Sequence, residues 1–162
     1  MEKGIVTICI VNYKTPELTK LCLESIRKNT RFPYKILVID NDSRDKSTEY
    51  LRSLDWITLI ERRQERGVGG YEHAAALDLG LERCQTEYFM SMHSDTFAHK
   101  PGWLTEFMSH FQDAKNIVCV GSGKINHTRH ATAKNGTGSR PAFRFDRNNV
   151  NSPSWSSRSS RP

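Results

Sequence analysis

The chain has 162 residues, 36% of them hydrophobic, with 24 Lys+Arg against 18 Asp+Glu and a formal net charge of +6. That length holds one domain with a tail, and the composition excludes a repeat array, a collagen and a multi-span membrane protein. The charge is local: residues 1–123 carry 16 basic and 17 acidic side chains, whereas residues 124–162 carry eight basic ones and a single acid, Asp146.

In chain order, residues 5–11 form a continuous, β-branched apolar run, the pattern of a strand buried on both faces. The run is too short to span a bilayer, and no small-residue cleavage site follows it. Thr15 and Pro16 supply an N-cap and a proline at the first helical position. Leu18, Leu21, Cys22 and Ile26 then recur at helical spacing, which predicts a helix to about Asn29. Residues 36–39 make a second strand, stopped by Asp40, Asn41, Asp42 and Ser43, and a short helix covers 46–54. A third strand spans 56–60. Gly67, Gly69 and Gly70 lead into a third helix with Ala74, Leu77, Leu81 and Cys84 on one face. A fourth strand covers 88–92. Pro101 opens a fourth helix with Trp103, Leu104, Phe107, Met108 and Phe111 on its apolar side, and a fifth strand covers 117–120. There the pattern stops.

Strands alternating with helices predict an α/β fold: a mostly parallel, Rossmann-like sheet with helices on both faces. Its domain occupies residues 1–123. Residues 124–162 are rich in Ser, Arg and Asn, with Ile125 and Val150 the only branched aliphatics, so this segment reads as a disordered tail. Phe143, Phe145 and Trp155 are too scattered for a stacking platform, so the basic excess does not imply a nucleic-acid partner. Cys9, Cys22, Cys84 and Cys119 contain no CxxC pair. They suit a reducing cytoplasm, and Cys9 and Cys119, inside apolar runs, read as small core residues.

Parallel sheets bind ligands beyond the carboxyl ends of their strands. This focuses attention on Asn12 and Tyr13, on the turn from Asp40 to Ser43, and on His93, Ser94, Asp95 and Thr96. Asp40 ends an apolar strand and is weighted towards a ligand. Asp42, Ser43 and Asp45 are better placed to cap the next helix. Asp95 is a carboxylate suited to Mg²⁺ or Mn²⁺. Gly67, Gly69 and Gly70 lack the complete G-x-G-x-x-G and any P-loop Lys-Ser/Thr, so they read as a strand-to-helix turn rather than a phosphate cradle. His73, His99, His110, His127 and His130 have no zinc-site spacing and read as structural or solvated.

The run from Val6 to Leu18 resembles the start of the family 2 glycosyltransferases of the GT-A fold. The stretch from Ile36 to Asp45 resembles their V-V-D-N-x-S-x-D, and Glu65 to Leu81 resembles their N-x-G-x-x-x-x-x-N-x-G region. The strand from Tyr88 to Thr96 is similar to the one ending in D-x-D, with His93 at the first acid. The resemblance covers about residues 4–123. It implies an inverting, metal-assisted transfer from a nucleotide-diphospho-sugar to an acceptor hydroxyl. It places Val11, Asn12, Tyr13, Asp40, Asn41, Arg66, Gly67 and Ser94 around the nucleotide sugar, with Asp40 on the base. Asp95, with His93 beside it, would hold Mg²⁺ or Mn²⁺ on the diphosphate.

The family's second half, which carries the general base and the acceptor site, has no counterpart in 124–162. The base and the acceptor glycan or other hydroxyl are therefore unassigned. The rival reading is a truncated, catalytically silent nucleotide-binding fragment. A sugar-nucleotidyltransferase would place a Gly-rich basic loop after the first strand, where Asn12, Tyr13, Lys14 and Thr15 stand. The expected location is the cytoplasm or the cytoplasmic face of a membrane, without an integral membrane segment. An uncovered sheet edge predicts self-association.

Overall fold

β-branched side chains suit β1 (Glu2–Asn12) to an inner position in the sheet, with Ile8, Cys9 and Ile10 fully buried. The computed structural model describes residues 1–67, 69–113 and 119–120. The remaining elements are α1 (Pro16–Asn29), β2 (Tyr34–Asp40), α2 (Lys46–Arg52), β3 (Thr58–Glu61), α3 (Gly69–Glu82), β4 (Thr86–His93) and α4 (Trp103–Asp113). Among the described residues the sheet has four strands in the order β3-β2-β1-β4. Every pairing is parallel, as the alternation of elements requires.

The chain divides into two units, residues 1–105 and residues 106–162. The first holds the sheet and the first three helices. Of the second, the description covers the C-terminal part of α4 and residues 119–120, which are not in a strand. Most of the fifth strand expected at 117–120, and the tail expected at 124–162, lie outside the described residues. Cys119 is exposed rather than a core residue. An apolar run states a preference for burial and does not supply a partner.

Successive strand residues face opposite sides of the sheet. Cys9 and Val11 of β1 and Leu37 and Ile39 of β2 point to one side and form a cluster with Ala76 of α3, edged by Ile60, Leu77 and Phe89. Ile8, Ile10, Ile36 and Val38 are buried on the other side. Cys22, Leu23 and Ile26 of α1 and Leu51 of α2 are buried as well, in two helices that pack against each other.

Two helices bury only part of the face their apolar spacing marks: Cys22 and Ile26 of α1 are buried and Leu77 of α3 packs against the core, but other positions differ. In α1, Leu18 is exposed and Leu21 is 53% exposed, while Thr19 is buried beside Cys22, Leu23 and Ile26. The reason is polar: the Thr19 hydroxyl donates to the buried Asn12 Oδ1 at 2.7 Å, and an inward leucine would leave that oxygen short of a partner. In α3, Ala74 is exposed and Leu81 is 57% exposed, and the buried stripe is Glu72, Ala76 and Gly80. Small residues win there because the helix lies close to β1. A Cβ at residue 80 would stand 2.5 Å from Cys9 Sγ.

Candidate functional site

After β1, β2 and β3 have been laid down in one direction, the chain crosses back to place β4 on the other side of β1. Such a reversal leaves a crevice at the carboxyl ends of the two strands beside it. A cleft of about 340 Å³ opens there, within the size range of small-molecule sites. Val11 of β1 and Tyr13 just after it line the cleft, with Asn41 just after β2 and His93 and Ser94 at the end of β4. Gln64, Gly67 and Gly69 and the first turn of α3, with Glu72 and His73, close the remaining side.

Of the residues expected around a nucleotide sugar, the structure thus brings together Val11, Tyr13, Asn41, Gly67 and Ser94, with His93. Asn12 and Asp40 do not line the cleft. Asn12 is fully buried. Its Nδ2 donates to Asp40 Oδ1 at 2.7 Å, Ser43 Oγ at 3.1 Å and Ser47 Oγ at 2.8 Å. Its Oδ1 accepts from Thr19 and from Thr15. Asp40 is 2% exposed, and its second oxygen accepts from Thr48 Oγ1 at 2.7 Å while Ser43 donates to the first. The carboxylate weighted towards a base contact is therefore the centre of an internal network that ties the ends of β1 and β2 to the start of α2. Buried polar groups satisfied in this way specify one arrangement of chain.

Local roles shift accordingly. Thr15 occupies the N-cap of α1, yet its hydroxyl goes to Asn12 rather than to the helix. Asp45 caps α2 as expected, accepting from Ser47 N at 2.9 Å, and its carboxyl is held below the usual range mainly by the Ser47 hydroxyl. Ser43, expected as a capping residue, serves the Asp40 network and also accepts from Lys14 N. Lys14, Asp42 and Arg44 have left-handed backbones, with φ of 54°, 67° and 51°. Such non-glycine conformations are costly and persist where surrounding contacts over-determine them.

The sequence reading missed the residues that shape the other wall. Glu72 lies in the first turn of α3 with its side chain 1% exposed. One oxygen accepts from three consecutive backbone N–H groups, Glu65 at 2.9 Å, Arg66 at 2.5 Å and Gly67 at 3.1 Å. The other accepts from Arg62 Nη1 at 2.6 Å. Burial alone would push the carboxyl up. The Arg62 guanidinium and the three backbone donors outweigh it and bring the pKa to about 2. Gly67 adopts φ of +65° to complete the loop. Converging N–H groups of this kind form an anion-binding nest, and here the protein's own carboxylate fills it. Of the glycine-rich segment, the Gly67 N–H is thereby committed internally. The available signal was an acid in the first helical turn directly after a glycine-rich loop.

Arg62 also donates from Nη1 to Asn41 Oδ1 at 2.8 Å, and Gln64 Nε2 donates to the Asn41 carbonyl at 3.0 Å. Arg66, expected near the base or the phosphates, is absent from the lining, and its guanidinium stacks on Tyr71 at 4.3 Å.

His73, read as structural, is a cleft residue. Its ring stacks on that of His93, with centroids 5.1 Å apart and planes 12° from parallel. Burial, and then the neighbouring imidazole, lower its pKa. The N-x-G-x-x-x-x-x-N pattern, laid on Glu65 and Gly67, puts its second Asn at position 73, which is the signal that was available.

Asp95 is exposed, in the turn closed by the Thr96 N to His93 O hydrogen bond at 3.0 Å, and lies outside the cleft lining. No cluster of three or more His, Cys, Asp or Glu side chains suited to a metal occurs among the described residues. One exposed carboxylate with an imidazole two residues away fits a hard cation that keeps waters and takes its remaining oxygens from a phosphate ligand.

The model of the family described as "Glycosyl transferase family 2" matches residues 7–158. No curated protein matches the chain. Among solved structures, TarS of S. aureus (residues 1–349) is similar with a TM-score of 0.57 and 17% identity over 82% of this chain and 39% of that one. The mannosyltransferase PcManGT from Pyrobaculum calidifontis, in complex with GDP-Man and Mn²⁺, is similar with a TM-score of 0.55 and 19% identity over 65% of this chain and 32% of that one. These likenesses show the fold, and the chain spans well under half the length of either structure.

Proposed function

The chain belongs to glycosyl transferase family 2, and on that premise we propose that its cleft binds a nucleotide-diphospho-sugar for inverting transfer to an acceptor hydroxyl. The observation that carries this reading is the position and chemistry of the cleft. It lies at the reversal of strand order, where α/β sheets take nucleotides. Its polar lining fits a molecule with a flat apolar base and a charged diphosphate. Tyr13 offers an aromatic ring with 44% exposure beside Val11 for the nucleoside. Ser94 and the paired imidazoles of His73 and His93 offer hydrogen-bond donors to diphosphate oxygens.

Asp95, with His93 beside it, would hold a divalent cation. Such an ion, when bound, neutralises charge on the departing nucleoside diphosphate. The GDP-Man and Mn²⁺ in the complex of the similar mannosyltransferase support this choice of ligands. The described cysteines are all free thiols and no described helix is long and apolar enough to cross a membrane, which supports a cytoplasmic setting. The test is calorimetric titration of the folded protein with nucleoside diphosphates and nucleotide sugars, with and without Mn²⁺. Micromolar binding strengthened by Mn²⁺ is expected, and no binding to any of them refutes the reading.

A second reading, a nucleotide-binding unit without turnover of its own, is favoured by one observation. Glu72 is the one acid lining the cleft among the described residues, and both its oxygens are committed to Arg62 and the loop. It cannot serve as the base that removes the acceptor proton. Measured sugar transfer by this chain would reject this second reading.

A further inference from the structure

The exposed Asp95 carboxylate is placed by its backbone. Among the described residues no hydrogen bond or ion pair holds its side chain. Its turn starts at His93, which lies opposite Val11 in the pairing of β4 with β1 and accepts the Thr96 N–H. The turn ends against α1. Ala98 is 5% exposed, and backbone buried to that degree needs a partner for both its N–H and its C=O. One helix supplies both. Ala98 N donates to Ser25 Oγ at 2.9 Å, and Asn29 Nδ2 donates to the Ala98 carbonyl at 2.6 Å. Ser25 and Asn29 are four residues apart and so share one face of α1. The Ser25 hydroxyl donates in turn to the Cys22 carbonyl at 2.7 Å, which turns its lone pairs towards Ala98.

This contact decides how much chain is free around Asp95. With Ala98 pinned, residues 94–97 span two fixed points, and Ser94 Oγ also lies 3.3 Å from Thr15 Oγ1. Without the pin, the next hydrogen bond to this end of α1 among the described residues runs from Trp103 Nε1 to Thr30 Oγ1 at 2.9 Å. The span then lengthens to residues 94–102. A ligand that needs Asp95 in one place must order that chain as it binds, and each residue so fixed costs about tenfold in affinity. A group held in place beforehand avoids the cost.

We infer that Ser25 and Asn29 are positioning residues for Asp95: by pinning Ala98 they hold the carboxylate where a divalent cation can join it to the diphosphate of a bound nucleotide. This inference rests on the donor-binding reading above. Neither Ser25 nor Asn29 lines the cleft, so their effect falls on the cation-dependent part of the affinity. His93 and Ser94, which do line it, keep their ties to β1 and to Thr15.

The experiment uses the intact chain. UDP, GDP, ADP and CDP are titrated by calorimetry with Mn²⁺ and with a chelator, and the ratio of the two affinities for the tightest is the Mn²⁺ gain. Wild type should show a gain of about tenfold or more. Ser25→Ala and Asn29→Ala should each cut that gain by about tenfold and leave the metal-free affinity within about twofold. Ser25→Thr keeps the hydroxyl and should restore the gain. Thr30→Val removes the acceptor of Trp103 at the far end of the same segment and should leave the gain intact. A ratio is insensitive to a reduced folded fraction, so a loss of stability by itself moves none of these values. Should one alanine variant fail to fold, the other decides. An undiminished gain in either folded alanine variant, a Ser25→Thr variant as impaired as Ser25→Ala, or an equal loss in Thr30→Val overturns the inference and leaves cation-assisted nucleotide binding standing. No gain in wild type overturns the cation role of Asp95 together with the inference. Absence of binding to all four, by protein with a cooperative thermal transition, overturns the donor-binding reading as well.

Discussion

The seat of α3 on the sheet makes a quantitative prediction about Gly80 and Cys9. A Cβ added at residue 80 would lie 2.5 Å from Cys9 Sγ and 3.7 Å from both Cys9 Cβ and Phe89 Cε2. The first distance is more than about 1 Å inside ordinary contact, and the other two are ordinary contacts. Gly80→Ala therefore gains about 1 kcal/mol of helix propensity and loses about 2–3 kcal/mol to overpacking, a net destabilisation of roughly 1–2 kcal/mol. Cys9→Ala alone removes one buried sulfur and costs about 1 kcal/mol. In the double variant the new methyl enters the space the sulfur vacates, so the clash disappears and the propensity gain remains. Its stability should return to within about 0.5 kcal/mol of wild type, a coupling of about 2 kcal/mol between the two sites. Urea unfolding of the four proteins, followed by far-UV circular dichroism, measures this directly, provided the slopes agree. Additivity within about 0.5 kcal/mol, or a stabilised Gly80→Ala single variant, would refute the close approach of α3 to β1. The matter reaches the cleft because Glu72 and His73 lie in the first turn of the same helix.

Three further outcomes are expected. Asn12→Leu strips the donors and acceptors that unite Asp40, Ser43, Ser47, Thr15 and Thr19. It should cost roughly 3 kcal/mol in urea unfolding, and a change below about 1 kcal/mol would contradict the network. The Glu72 carboxyl is lowered from 4.5 to about 2 in the folded chain. A depressed folded-state value means that its stabilisation is complete above the unfolded value and is lost as pH falls through the folded one. Wild type should therefore lose stability between pH 4.5 and about 2, and Glu72→Gln should flatten the urea-midpoint profile in that window. An unchanged profile counts against the nest. Burial raises the Cys9 and Cys22 thiols to about 11 and 12. Burial also acts upward on Cys84, but hydrogen bonds with Thr86 prevail and lower it. Iodoacetamide on the native protein should modify Cys84 and the exposed Cys119 and spare Cys9 and Cys22 until urea is added. Early loss of the Cys22 thiol, read by peptide mass spectrometry, would show that α1 is not packed as described.

The residues themselves determined the framework. The β-branched run that became β1, the runs behind β2 and β4, Pro16 at the start of α1 and the Asp45 cap on α2 are all local signals. Hydrophobic period, proline and capping chemistry act over a few residues and survive in any tertiary context. Alternation of those elements was enough for a parallel sheet, and with it the rule that the site lies at strand ends, so Tyr13, Asn41, His93 and Ser94 could be named in advance.

Tertiary structure alone decided which of the neighbouring polar residues turned inward. Asp40 and Asn41 are adjacent and both polar. One lies in an internal network and the other lines the cleft, because the register of β1 against β2 sets Asn12 opposite Asp40. Thr19 displaced Leu18 and Leu21 from the buried face of α1 for the sake of one Asn12 oxygen. Glu72, Arg62 and the His73–His93 stack join a loop, a helix and a strand end whose spacing along the chain says nothing of their distance in space. Burial of an apolar side chain needs only a nonpolar neighbour, which composition and period foretell. A buried donor or acceptor needs one partner at about 3 Å, and that partner exists only once the elements have been packed.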